Sequence, residues 1–121
     1  MSKAMIDFGL PPENARTETR FGSRQARVAR LLQLDGAAHL VCIYLGENGA
    51  LGGHPAAVNQ LFLVISGSGW VQGKDGEAQP INAGQAVFWE AGEWHETSSE
   101  KGLTAIVVEG PGIDPSIFNR P

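Results

Sequence analysis

The chain has 121 residues, a formal net charge of −4, 42% hydrophobic residues and 18% charged residues. This length suits one domain, since a second core would need more chain than remains once the first is built. The composition is too apolar for a disordered chain, and its negative balance argues against a nucleic-acid surface, which needs concentrated positive charge.

Residues 1–20, with Pro11-Pro12 and Asn14, read as an extended N-terminal arm, either frayed or lying over a sheet edge, ahead of a single domain over 21–121. Residues 16–30 hold five of the nine basic groups: Arg16, Arg20, Arg24, Arg27 and Arg30. They are expected to be solvated, or to meet carboxylates of a neighbouring strand or subunit; Glu90, Glu93, Glu96 and Glu100 cluster later in the chain. A structural or interaction role through this basic stretch, with Arg24 and Arg27 as its test residues, is one functional reading.

Sixteen glycines and seven prolines punctuate short apolar runs, which is the pattern of an all-β sandwich or barrel. Strands are predicted over 26–34, 39–45, 61–66, 69–72, 85–89, 95–98 and 103–109. Gly73-Lys74-Asp75-Gly76 supplies a hairpin turn, and Ser99-Glu100-Lys101-Gly102 a second one. Cys42 cannot form an internal disulfide and is expected to be a small buried hydrophobe in a reducing compartment. In the strand over 61–66, Phe62 and Val64 share a face with Gln60, and Leu61, Leu63 and Ile65 share the other. Both faces are apolar, so a covering layer is expected from the N-terminal segment or from a partner subunit. The stretch from Pro111 to Pro115 reads as a loop leading to a last turn with Ile117 and Phe118. The longest apolar run, residues 61–65, is far short of the roughly 20 residues of a membrane span. No basic start followed by an apolar stretch and a cleavage site opens the chain, so a cytoplasmic protein without membrane contact is expected.

Two segments carry most of the information. One runs Gly49-Ala-Leu-Gly-Gly-His54-Pro-Ala-Ala-Val-Asn-Gln60-Leu-Phe-Leu-Val-Ile-Ser-Gly67, the other Gly84-Gln-Ala-Val-Phe-Trp-Glu-Ala-Gly92-Glu-Trp-His95. Together they resemble the two motifs of the cupin family, across about residues 36–110. The glycines at 49, 67, 84 and 92 match, His54 takes the second histidine position and His95 the last. Gly52 stands at the first histidine position, Gln60 at the glutamate, Glu90 at the proline and Ser99 where asparagine is common.

The resemblance implies a double-stranded β-helix, a jelly-roll barrel, commonly assembled as a homodimer, and a single metal held by side chains from both motifs. Here only His54, Gln60 and His95 remain at those positions. Two imidazoles and a neutral amide lack the carboxylate charge that offsets desolvation of a divalent ion, so weak metal binding or none is expected. The plainer alternative is that both histidines hydrogen-bond in a mostly apolar cavity. His39 reads as a strand-end surface residue. Glu90, Glu93 and Glu96 rank low as ligands or general bases, as carboxylates beside turns are usually solvated. Trp70 and Trp89 read as core, whereas Trp94 beside His95 reads as pocket-lining.

The expected site is a ligand pocket of His54, Gln60, Phe62, Trp94 and His95 that takes a small organic molecule. The main rival is a metal-dependent enzyme of oxygenase or isomerase type built on His54, Gln60 and His95. No nucleophile–base set or phosphate loop is visible, so no catalytic residue is assigned.

Overall fold

The computed structural model describes residues 4–29, 31 and 36–114. In chain order the strands are β1 (Ala4–Asp7), β2 (Arg16–Thr17), β3 (Arg27–Val28), β4 (His39–Leu45), β5 (Gly49–Pro55), β6 (Gln60–Gly73), β7 (Ala78–Asn82), β8 (Gln85–Trp89), β9 (Trp94–Ser99) and β10 (Leu103–Glu109). One sheet runs in the order β1-β8-β6-β10-β4. The C-terminal half of β6 leaves it to pair with β7 on one side and β9 on the other, and β9 pairs with β5. Every named pairing is antiparallel. A 14-residue strand thus serves both layers, producing the all-β jelly roll that the resemblance implies.

Its bend has a local cause. The register between β10 and β6 shifts at Thr104/Ala105, where Thr104 faces Ser66 and Ala105 faces Val64, so Ile65 is the extra residue of a bulge. Two residues later Gly67 has φ +82°. The bulge reverses the alternation of the strand. Before it, Phe62 and Val64 point into the barrel; after it, Val71 does. The predicted strands 61–66 and 69–72 are therefore one continuous strand, because the bulge lets the chain turn between sheets without breaking its ladders.

The reversal also corrects the expectation for Trp70, which is 42% exposed on the outward side rather than in the core. Trp89 is fully buried, as expected. Cys42 is exposed rather than buried, because it lies on the outward face of β4 between Leu40 and Tyr44. His39 stands exposed at the start of the same strand.

Two cores lie on opposite faces of the first sheet. Phe62, Val64, Val71, Ile81, Val87 and Trp89 belong to the core inside the barrel. On the other face, Leu61, Leu63, Ala86, Phe88, Val108 and Ile113 are buried, with Ala4, Ile6, Phe8 and Leu31 packed against them. The covering layer is thus supplied in part by the chain's own N-terminal residues, and β1 is hydrogen-bonded along β8.

Of the predicted strand 26–34, Arg27–Val28 is extended and pairs with β2; Arg30 and residues 32–35 lie outside the described residues, as does the last turn with Ile117 and Phe118. Arg20 forms a 2.9 Å ion pair with Glu18 and lies 5.4 Å from the Phe21 ring centroid. Arg16, Arg24 and Arg27 are exposed. No helix among the described residues is long and apolar enough to cross a membrane.

Candidate functional site

The segment holding His54 has three glycines and a proline, a composition poor in strand formers. It is nevertheless strand β5 rather than a loop, because pairing with β9 satisfies its backbone. The register sets His54 directly opposite His95 and Pro55 opposite Trp94, after an irregularity between Leu51 and His54. Gly53 lies at this irregularity, where a Cβ would run into the Trp94 indole. A glycine there lets the half-buried Trp94 ring lie against β5.

The two imidazoles meet with ring centroids 4.6 Å apart and planes inclined at 57°. His54 Nδ1 lies 2.8 Å from the Gly52 carbonyl oxygen, and His95 Nδ1 lies 3.1 Å from that of Glu93. A carbonyl can only accept, so these bonds assign the hydrogen to Nδ1 in both rings and leave Nε2 with a free lone pair in the neutral form. His54 is exposed and His95 is 6% exposed, so the pair joins the barrel interior to solvent. Beneath it, Trp89 stacks on His95 at 5.0 Å and 22°. Its Nε1 is the single buried side-chain donor or acceptor without a partner among the described residues.

Burial pushes the His95 pKa below its ordinary value; the Glu93 carbonyl bond opposes this and the neighbouring His54 adds to it. In the unfolded chain the ring titrates at its ordinary value of about 6.5. Because the folded value is lower, the unfolded state binds more protons between the two values. Stability from this group is complete above about pH 6.5 and is lost as pH falls through the folded pKa. Urea midpoints should therefore drop on acidification from about pH 7.5 to about pH 5. A His95→Gln variant should show a shallower drop, and equal slopes would refute the assignment.

The other expected site residues are less closely joined. Gln60 is 8% exposed and faces Trp89 in register, but no hydrogen bond joins its amide to either imidazole. Phe62 is 3% exposed within the inner core. Glu93 is half-buried; its carboxylate accepts from the Glu90 N–H at 2.8 Å, and its carbonyl accepts from the Ala56 N–H at 2.9 Å. Glu93 therefore shapes the turn that presents His95. Glu96 is half-buried and Glu90 exposed. Trp89 is a contact of the site that sequence reasoning placed only in the core; its position under His95 depends on how three strands meet.

The donor set does not fit a tightly held metal ion. Among the described residues there is no group of three or more His, Cys, Asp or Glu able to hold one. Two imidazoles without a carboxylate leave a divalent charge uncompensated.

Residues 39–109, more than half the chain, match the family model described as Cupin domain. The chain belongs to the cupin domain family. Solved cupins share its fold. An RmlC-like cupin from Shewanella frigidimarina superposes with a TM-score of 0.57 at 22% identity, over 61% of this chain and 66% of that one. A cupin superfamily protein from Desulfitobacterium hafniense gives a TM-score of 0.57 at 10% identity, over 70% and 75%. A predicted oxalate decarboxylase from Thermotoga maritima gives 0.52 at 22% identity, over 57% and 62%. The match thus spans just under two thirds of the first and third of these chains. At such identities the likeness of this cupin domain to them is one of fold alone. No curated protein matches the chain.

Proposed function

We propose that this cupin domain binds a small organic ligand at the barrel mouth where His54 and His95 meet, with at most a weakly held divalent ion. The observation that carries this reading is the imidazole pair. Both Nδ1 atoms are committed to backbone carbonyls and both Nε2 lone pairs are left over, without a third ionisable ligand beside them. Such a pair can accept hydrogen bonds from ligand O–H or N–H groups, with Trp94 supplying apolar surface and the buried Trp89 backing His95. Gln60 and Phe62 complete the proposed lining from β6.

The rival is a metal-dependent cupin enzyme of oxygenase or isomerase type using His54, Gln60 and His95. One feature favours it: metal-binding imidazoles commonly anchor the second ring nitrogen as these do.

Protein purified without a metal-affinity tag separates the two readings. Elemental analysis and calorimetric titration with Zn²⁺ and Mn²⁺ should show little bound metal, and native mass spectrometry should show a retained small molecule that a His54→Ala/His95→Ala variant loses. Near-stoichiometric metal that disappears in the double variant would make the enzyme reading primary. A retained molecule in the double variant would place the pocket elsewhere.

We also propose that two copies pair through the outward face of β4. Leu40 and Tyr44, 70% and 75% exposed, flank Cys42 there, and Ile65 of the bulge, 41% exposed, also remains uncovered. A cytoplasmic location remains part of the proposal.

A further inference from the structure

On the outer side of the second sheet, a hollow of about 200 Å³ is lined by Ser68, Gly69, Trp70, Pro80, Asn82, Glu100 and Lys101. We propose that it binds a single neutral sugar ring, independently of the histidine pair.

The strand bulge turns Trp70 outward, where Pro80 on β7 and Ser98 on β9 are its cross-strand partners. The indole therefore stands between two paired neighbours as an accessible apolar plate. Gly69, the residue before Trp70, lines the hollow with its backbone; a Cβ there would point to the inward side and run into the Ser98 carbonyl. An apolar plate of this kind suits the C–H face of a pyranose.

The polar lining fits the edge of the same ring. No hydrogen bond or ion pair engages the side chains of Ser68, Asn82, Glu100 or Lys101 among the described residues, whereas backbone bonds hold their segments in place. The Asn82 N–H donates to Gln85 Oε1 at 2.9 Å, and the Glu100 carbonyl accepts from the Asn48 N–H at 2.9 Å. The free set contains an amide and a hydroxyl that both donate and accept, a carboxylate that accepts and an ammonium that donates. Hydroxyl groups, which also do both, match it. Glu100 and Lys101 carry opposite charges, so the lining has no net charge to favour an anion or a cation. The volume is below the roughly 300–1,000 Å³ of a drug-sized pocket, so one ring fits and a longer ligand does not.

The test is an amide and indole NMR titration of the full chain with methyl β-D-glucopyranoside, methyl β-D-galactopyranoside, methyl α-D-mannopyranoside and N-acetyl-D-glucosamine. At least one should give saturable shifts at the Trp70 indole N–H and the Asn82 side-chain amide, with a Kd on the order of 1 mM, as a small open contact allows. Trp70→Ala, read at the Asn82 side-chain amide, should abolish the saturable shift. Trp70→Phe should retain binding within about tenfold, and Asn82→Ala should weaken it by up to about tenfold, the range of one hydrogen bond. All three substitutions are on exposed positions, and unchanged shifts elsewhere in each spectrum show that the fold is intact. The proposal is overturned by no saturable shift with any of these sugars up to about 50 mM, by an undiminished Asn82 amide shift in Trp70→Ala, or by shifts centred on His54 and His95.

Discussion

Gly67→Val should destabilise the fold by about 3 kcal/mol, whereas Gly76→Ala should cost only about 1 kcal/mol. Both glycines have a left-handed backbone, with φ of +82° and +80°. An L side chain is strained there by roughly 1–2 kcal/mol whatever its surroundings. The surroundings separate the two. A Cβ on Gly76 meets nothing within 4 Å, while one on Gly67 would run into the Gly102 carbonyl and lie 3.0 Å from Leu103 Cα. Those are backbone atoms at the start of β10, so relief would require moving the strand that pairs with both β4 and β6. Overpacking of this kind adds roughly 1–3 kcal/mol. Urea unfolding of the two variants beside the parent measures the difference. Equal losses would mean that the approach of β6 to the Gly102 turn contributes nothing, and that the bend is not where this chain is least tolerant.

A Leu40→Lys/Tyr44→Lys variant should sediment as a monomer at concentrations where the parent is a dimer, with dissociation more than about 100-fold easier. Among the described residues β4 pairs on one side only, with β10. Among those residues no strand pairs with its other edge, and stable proteins cover such an edge or protect it with charge. Here the strand reads His39-Leu-Val-Cys-Ile-Tyr-Leu45, with no Lys, Asp, Glu or Pro. Alternation puts Leu40, Cys42 and Tyr44 on one face, next to Val108, Ile106 and Thr104 of β10 in register. A two-fold pairing would apply this stripe to its own copy. Aromatic and aliphatic anchors at the centre of an interface typically contribute about 2 kcal/mol each, and the lysines would add two unpaired charges to each side. Sedimentation velocity across a concentration series decides it. A monomeric parent, or a variant that stays dimeric, would remove this surface from consideration.

The amino-acid sequence by itself determined the class of the fold and its chain-level layout. Glycines and prolines between short apolar runs dictate strands and turns, and β4, β8 and β10 have the predicted limits because each is a continuous apolar run with a turn at both ends. The two motifs likewise contain the barrel, since motif spacing survives even where ligand identities do not. Tertiary structure alone decided the rest. A bulge at Ile65 cannot be read from alternation, because the extra residue exists only relative to the partner strand β10; that single offset sends Trp70 outward and Val71 inward. Gly49–Pro55 has weak strand propensity and becomes a strand through the hydrogen bonds that β9 offers. Cys42 is apolar in character yet exposed, because burial depends on whether a second layer covers its face, not on the residue. The stacking of Trp89 under His95 likewise arises where β6, β8 and β9 converge. Local chemistry therefore specifies which segments extend, while register between distant segments specifies which side chains meet.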